Sequence, residues 1–330
     1  MFGKVERAYK RIDGMVYRTP VMTSSTLNEV TGSKCFLKCE NFQKTGSFKF
    51  RGALNALSHL SPEKRRKGVI THSSGNHAQA LALAAKILGI KAVVVMPRNA
   101  SSVKVTATEN YGAEIVVCSS RPVEREKAVK PLIDEFGYTL IHPSNDPHVI
   151  AGAGTAAYEL IKEVGELDYI FCPVGGGGLI SGTAIATKRL SPLAKVIGVE
   201  PKNADDAHQS LKAGRIIKVS NPETIADGLR TSLGNNTFRI IRENVDRIVT
   251  VSEDEIVDAM QLLWERMKLV VEPSGAVALA GVLSKQIDVT SKRVGMIVSG
   301  GNIDLTGFFT KVRHDWLPHS QAKHSSPCNF

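Results

Sequence analysis

GVITHSSGNHAQALALAAKILG, from Gly68 to Gly89, holds a short apolar run, a turn of Ser, Gly and Asn, and a longer segment with apolar residues at helical spacing. That order is one βα unit, because a buried strand takes about 4–8 apolar residues and a helix needs a longer periodic stretch. Two more units follow: KAVVVMP from Lys91 precedes SSVKVTATENYG, and AEIVVCSS from Ala113 precedes REKAVKPLIDEFG. Strands that are apolar without alternation are covered on both faces, so the pattern predicts a parallel sheet flanked by helices. A small lobe over residues 68–145 follows. A second series, AGAGTAAYELIKEV, YIFCPVGGGG, LISGTAIATKRL, KVIGVEP and RVGMIVSGGNID, predicts a larger lobe over 146–330, completed by residues 1–67. The last stretch, HDWLPHSQAKHSSPCNF, has no periodicity and reads as a mobile tail.

Composition narrows the function. The chain has 330 residues and a formal charge of +10, from 42 Lys and Arg against 32 Asp and Glu. The charge is spread out, and its densest run, KRRK at Lys64 to Lys67, has no interleaved aromatics. It reads as a solvated loop or helix end, so nucleic acid is not expected and anionic small molecules are. Five cysteines, Cys35, Cys39, Cys118, Cys172 and Cys328, form an odd set without repeated spacing, which supports neither a disulfide framework nor a zinc site. No signal-peptide core or membrane-length apolar run is visible, and a cytoplasmic protein without a membrane partner is expected.

Four segments place reactive residue types at strand-to-helix junctions. In KTGSFKFRGA, Lys44 to Ala53, Lys49 falls in the first turn of a helix patterned by Phe50, Leu54 and Leu57. A helix amino terminus is already positive, so a desolvated lysine there would have a lowered pKa; a solvent-facing lysine is the other reading. In VGGGGLISG, Gly175, Gly176, Gly177 and Gly178 offer bare N–H groups before a helix, suited to a phosphate, unless tight packing alone requires them. The segment lacks both the GxxxxGK[ST] lysine and GxGxxG spacing. In THSSGNHAQA, Ser73, Ser74, Asn76 and His77 form either a carboxylate site or a helix cap. Ser299 in IVSGGNID can bond a ring nitrogen or merely end a strand. In VEPKNADDAHQS, Glu200 and Asp206 with a backbone oxygen can hold a hard cation, although acidic loops are usually just solvated.

Taken together, KTGSFKFRGA, HSSGNHAQA, VGGGG, WERMKLVVEPSGA and SGGN resemble the pyridoxal-phosphate enzymes of fold type II, and within them the serine racemases and biodegradative threonine dehydratases. The likeness runs from TPVMTSSTLN at Thr19 to Asp304. It implies an α/β fold like the β subunit of tryptophan synthase, with two open, twisted, parallel-rich sheets flanked by helices. It also implies that Lys49, rather than Lys44, bonds pyridoxal 5'-phosphate covalently, with Phe48 packed beside it. Asn76 would bond the cofactor's 3-hydroxyl, Gly175 to Gly178 its phosphate and Ser299 its ring nitrogen. A neutral hydroxyl at Ser299 favours proton chemistry and β-elimination over transamination. Ser73, Asn76 and His77 would meet the substrate carboxylate, and Ser74 would be the acid/base opposite Lys49.

The same resemblance implies Mg2+ or Ca2+ on Glu200, the Ala204 carbonyl and Asp206. It also implies a homodimer, with ATP as an activator at positions matching Thr45, Lys268 and Asn302. The expected activity is interconversion of L- and D-serine, with dehydration of serine or threonine to a keto acid. The pocket departs from the racemase pattern at Ser144 in HPSN and Thr231 in GLRTSLG, while Arg125 matches an arginine that reaches dicarboxylates. An aspartate racemase, or a dehydratase of threonine or 3-hydroxyaspartate, is therefore the alternative. A protein that keeps the fold but no cofactor is a third reading, which visible absorbance distinguishes.

Overall fold

The computed structural model describes residues 2–98, 100, 102–119, 122–219 and 222–305, with side chains described for all of these except 102, 103 and 122–126. The C-terminal stretch expected to be a tail, with Cys328, lies outside the described residues. Among the described residues, ten strands form two sheets. They are β1 (Val21–Met22), β2 (Lys34–Cys39), β3 (Val69–His72), β4 (Ala92–Pro97), β5 (Glu114–Cys118), β6 (Thr139–Leu140), β7 (Tyr169–Pro173), β8 (Lys195–Pro201), β9 (Arg247–Val251) and β10 (Arg293–Val298). The larger sheet runs β1-β2-β10-β7-β8-β9 and the smaller β5-β4-β3-β6. Every pairing is parallel except β1 with β2.

The apolar strands inside the sheets are buried on both faces, as the sequence pattern predicts, whereas β5, from AEIVVCSS, is the edge of the small sheet and leaves Val117 exposed. Along β4, Val94 and Met96 enter one core and Val93 and Val95 the other. Along β10, Val294, Met296 and Val298 face one side of the larger sheet and Ile297 the other. The helix Lys49–Ser58 sends Phe50, Ala53, Leu54 and Leu57 into the core of the four-stranded sheet. It therefore packs on the small sheet although it precedes that sheet in sequence. KRRK forms the exposed last turn of the helix Pro62–Lys67, which the Ser61 side chain caps. Cys35, Cys39 and Cys172 are buried free thiols. No helix among the described residues is long and apolar enough to cross a membrane.

Glycines set how closely the central helices cross. A Cβ on Gly152, in the helix Pro147–Ala153, would lie 2.4 Å from the Arg51 carbonyl. One on Gly52 would lie 2.8 Å from the Val149 carbonyl, and one on Gly182, in the helix Gly178–Leu190, 2.4 Å from the Ile150 carbonyl. Rigid backbone meets each missing methyl, so none of the three helices can give way cheaply. Gly152→Ala is expected to destabilise the protein by about 1–3 kcal/mol, read as a lower denaturant midpoint with an unchanged slope.

Candidate active site

The strand order brings distant loops together. β10 pairs with β2 in a register that sets Val298 beside Cys39, and with β7 so that Met296 lies beside Phe171. The segments that follow these strands therefore start side by side at the carboxyl edge of the sheet, where open α/β sheets bind ligands. Ser47 bridges Gly300, and the Phe48 N–H donates to the Ser299 carbonyl at 3.0 Å.

Lys49 is the first residue of its helix, and its Nζ donates to the Pro143 carbonyl at 3.0 Å while lying 5.1 Å from the Phe48 ring centre. Burial lowers its pKa to about 8, against an opposing pull from the Glu272 carboxylate. Desolvation, one of the two causes expected from sequence, is the main one. Such an amine is uncharged in a useful fraction near neutral pH, as nucleophilic attack on an aldehyde requires.

Two residues on, Arg51 is fully buried and fixes this helix. Its guanidinium pairs with both oxygens of Glu40, at 2.7 and 2.8 Å, and with both of Glu159, at 2.7 and 2.8 Å. Lys38 completes the cluster at 2.7 Å from Glu159.

The turn after β3, on the smaller sheet, leads to His77, which lies close enough to Lys49 to feel its charge. The helix Asn76–Leu88 is capped at Gly75 with no side-chain cap bond. The Ser73 hydroxyl accepts from the Gly75 N–H at 3.4 Å, and Ser74 makes no side-chain hydrogen bond among the described residues. Ser74 is therefore not the helix cap. Asn76 is held from both ends: its Nδ2 donates to Glu272 Oε1 at 2.6 Å, and its Oδ1 accepts from Asn302 Nδ2 at 2.9 Å. His77 is buried with Nε2 on the Ile141 carbonyl at 3.3 Å, while Nδ1 has no hydrogen-bond partner among the described residues. Burial and the nearby Lys49 hold it well below the usual histidine range.

The four glycines complete the far wall. Gly177 has φ +78° and caps the helix Gly178–Leu190 without a side chain, leaving the first-turn N–H groups open to an anion. A Cβ on Gly176 would lie 2.3 Å from Ser144 Oγ, and one on Gly175 3.1 Å from Thr231 Oγ1. Both pocket hydroxyls thus line the glycine loop. Ser299 is buried, its Oγ donating to the Ser274 carbonyl at 3.2 Å with lone pairs left to accept. An uncapped glycine turn, a lysine near neutrality and a buried strand-end hydroxyl are the features that a phosphate- and aldehyde-bearing pyridine needs, so the residues fit pyridoxal phosphate.

Of the remaining sequence candidates, Asn302 and Thr45 adjoin Asn76, and the acidic pair lies apart from them. Glu200, at the end of β8, accepts from the Ala207 and His208 N–H groups at 3.1 and 2.8 Å, and Asp206 accepts from Leu233 at 3.2 Å. Burial raises Asp206 to about 7, and burial with Asp206 nearby raises Glu200 well above the carboxylate range. No group of three acidic, His or Cys side chains suited to a metal occurs among the described residues. A cation here would rest on two carboxylates, the Ala204 carbonyl and water. Thr45, at φ +61°, accepts from Asn302 through its carbonyl at 2.7 Å, whereas Lys268 turns back to the Glu265 carbonyl. Arg125 lies in the helix Pro122–Phe136, and its side chain is outside the described residues.

Sequence reading missed Glu272 and His142. Burial, with Asp227 nearby, raises Glu272 to about 8. His142 Nδ1 accepts from the Ser144 and Asn145 N–H groups at 3.2 and 2.9 Å, and burial lowers its pKa to about 4. The available signals were a lone acid ending the apolar run in KLVVEPSGA and a histidine opening HPSN.

A family model described as pyridoxal-phosphate dependent enzyme matches residues 12–300. The chain is 51% identical to an L-threo-3-hydroxyaspartate ammonia-lyase of Saccharomyces cerevisiae over 94% of its length and 96% of that protein. It is 49% identical to a serine racemase of Schizosaccharomyces pombe, covering 92% of this chain and 94% of the other. The crystal structure of serine racemase from Dictyostelium discoideum superposes with a TM-score of 0.88 at 49% identity, covering 92% of this chain and 99% of that one.

Glu272 leaves a stability signature. Between about pH 4.5, its ordinary value, and about 8, the folded state keeps a proton that the unfolded chain has lost, so its contribution to stability falls as pH rises. In ligand-free protein, Glu272→Gln should therefore gain stability relative to the parent from pH 5 to pH 8. Denaturant titrations at both pH values check the widening gap.

Proposed function

The chain belongs to the pyridoxal-phosphate dependent enzyme family, and on that premise we propose that it interconverts L- and D-serine and also dehydrates serine or threonine to the keto acid and ammonia. The observation that supports this reading is the Ser74 hydroxyl, which makes no side-chain hydrogen bond among the described residues at a turn where the helix is capped without it, three residues before His77, which feels the charge of a lysine whose pKa is about 8. Bound pyridoxal phosphate withdraws electrons from the substrate α-carbon and so acidifies its proton. Phe48, Asn76, Gly175 to Gly178 and Ser299 hold the cofactor. Ser73, Asn76 and His77 receive the substrate carboxylate. Lys49 takes the α-proton of the L-isomer on one face, and Ser74 returns a proton on the other. Elimination needs only the lysine face.

Ser144 and Thr231 put two hydroxyls against the glycine loop. That favours a second reading, in which Arg125 pairs with a β-carboxylate and the substrate is aspartate or 3-hydroxyaspartate. L-serine, L-threonine, L-aspartate and 3-hydroxyaspartate, each followed for keto acid and D-isomer, separate the two. The protein acts in the cytoplasm as a homodimer. ATP activates it through Thr45, Lys268 and Asn302, and Mg2+ or Ca2+ sits on Glu200, Ala204 and Asp206.

Ser74→Ala is expected to abolish L-to-D conversion while retaining keto acid from L-serine, and Lys49→Ala to abolish both reactions and the protein's visible absorbance with cofactor. Racemisation near the parent rate by Ser74→Ala would overturn the two-face assignment. Thorough chelation should lower turnover and melting temperature together, because an ion held only by the folded state stabilises it. Unchanged melting and turnover would remove the metal.

A further inference from the structure

Besides the buried Arg51 cluster, one ion pair among the described residues joins the lobe of the four-stranded sheet to that of the six-stranded sheet. Lys104 lies in the helix Ser102–Asn110, between β4 and β5, and its Nζ pairs with Asp227 Oδ2. Asp227 opens the short turn Asp227–Leu229, whose Leu229 enters the core of the larger sheet. The partners are 123 residues apart.

The pair stands over the pocket. The Gly228 N–H donates to Ser274 Oγ at 3.1 Å, and Ser274 in turn offers its carbonyl to Ser299. A Cβ on Gly175 would lie 2.9 Å from Leu229 Cα, so residues 227–231 wall the glycine loop. The buried Glu272 carboxyl, which holds Asn76, senses both Asp227 and Lys104. Lys104 thus reaches from the lobe bearing Ser73 to His77 to the segment that backs the opposite wall.

We propose that Lys104 and Asp227 form an inter-lobe latch that sets the spacing between the Ser74 wall and the glycine-loop wall of the pocket. Both are positioning residues, since neither touches the reacting atoms. The latch rests on the amino-acid-converting reading above for its kinetic consequence, although not for its existence. With side chains 22% and 44% exposed, the pair is open enough to break and re-form as substrate enters and product leaves, and salt screens it. It acts on binding of the small substrate more than on the proton transfers, because it biases the closed arrangement that the substrate also favours.

The test uses cofactor-loaded protein with Lys104→Met, Asp227→Asn, and the charge-exchanged double variant Lys104→Asp with Asp227→Lys. Each single variant should raise KM for L-serine by about two- to five-fold at low salt, with kcat held within about twofold. Parent KM should rise with added salt, and that of Lys104→Met should not. The double variant should recover much of the loss. Backbone hydrogen exchange reads the same event without turnover: residues 104–110 and 227–233 should exchange faster in the singles and slow again in the double. Parent-like KM and exchange in both singles, or a double variant no better than the worse single, would overturn the latch. If the parent converts none of the amino acids, the functional reading falls, and the exchange pattern alone then supports or overturns the latch.

Discussion

The Arg51 guanidinium, with no exposed surface and both edges gripped by carboxylates, is the constraint on which the site rests. Glu40 follows β2, Glu159 lies in the helix Thr155–Val164, and Arg51 lies two residues beyond Lys49. One side chain therefore ties the lysine-bearing helix to the large sheet while its apolar face packs on the small one. Burying four ionised groups costs several kcal/mol per ion unless every lone pair and proton is satisfied. Here Lys38 also donates to the Thr19 carbonyl, and Thr19 donates to Glu40. A network so complete has one low-energy arrangement, and Lys49 inherits its position from it.

That anchoring lets the pocket hold groups in states they would not choose in water. Burial pushes Lys49 down, His77 and His142 down, and Glu272 up, so near neutrality the histidines and Glu272 are uncharged and Lys49 is divided between ammonium and amine. The low dielectric of a desolvated cleft strengthens whatever electrostatics an anionic ligand brings. The glycine loop answers such a ligand with backbone N–H groups, which add dipoles without adding a titrating group.

The two walls belong to different lobes, and glycine contacts govern their approach. Gly52 against Val149 and Gly152 against Arg51 bring helices to backbone contact beneath the site. Above it, the joining contacts are polar: Asn76 with Glu272, Asn302 with Asn76, and Lys104 with Asp227. A packed base with a polar rim is a hinge-like arrangement, in which the rim bonds can exchange while the base stays put.

The sequence by itself determined what neighbouring residues decide. Apolar runs followed by helical periodicity marked the βα units. Gly175 to Gly178 marked a turn that side chains could not make, and Lys49 fell in the first turn of its helix. These signals are short-ranged, because strand and helix periods and turn chemistry repeat within a few residues. The tertiary structure alone decided which distant groups meet. Glu272 reaches Asn76 across 196 residues and Arg51 reaches Glu159 across 108. Neither pairing is written in local pattern, because it follows from the sheet order that sets β2, β10 and β7 side by side. Whether Lys49 was solvent-facing or desolvated was equally undecidable in one dimension, since burial is a property of everything that packs around a residue.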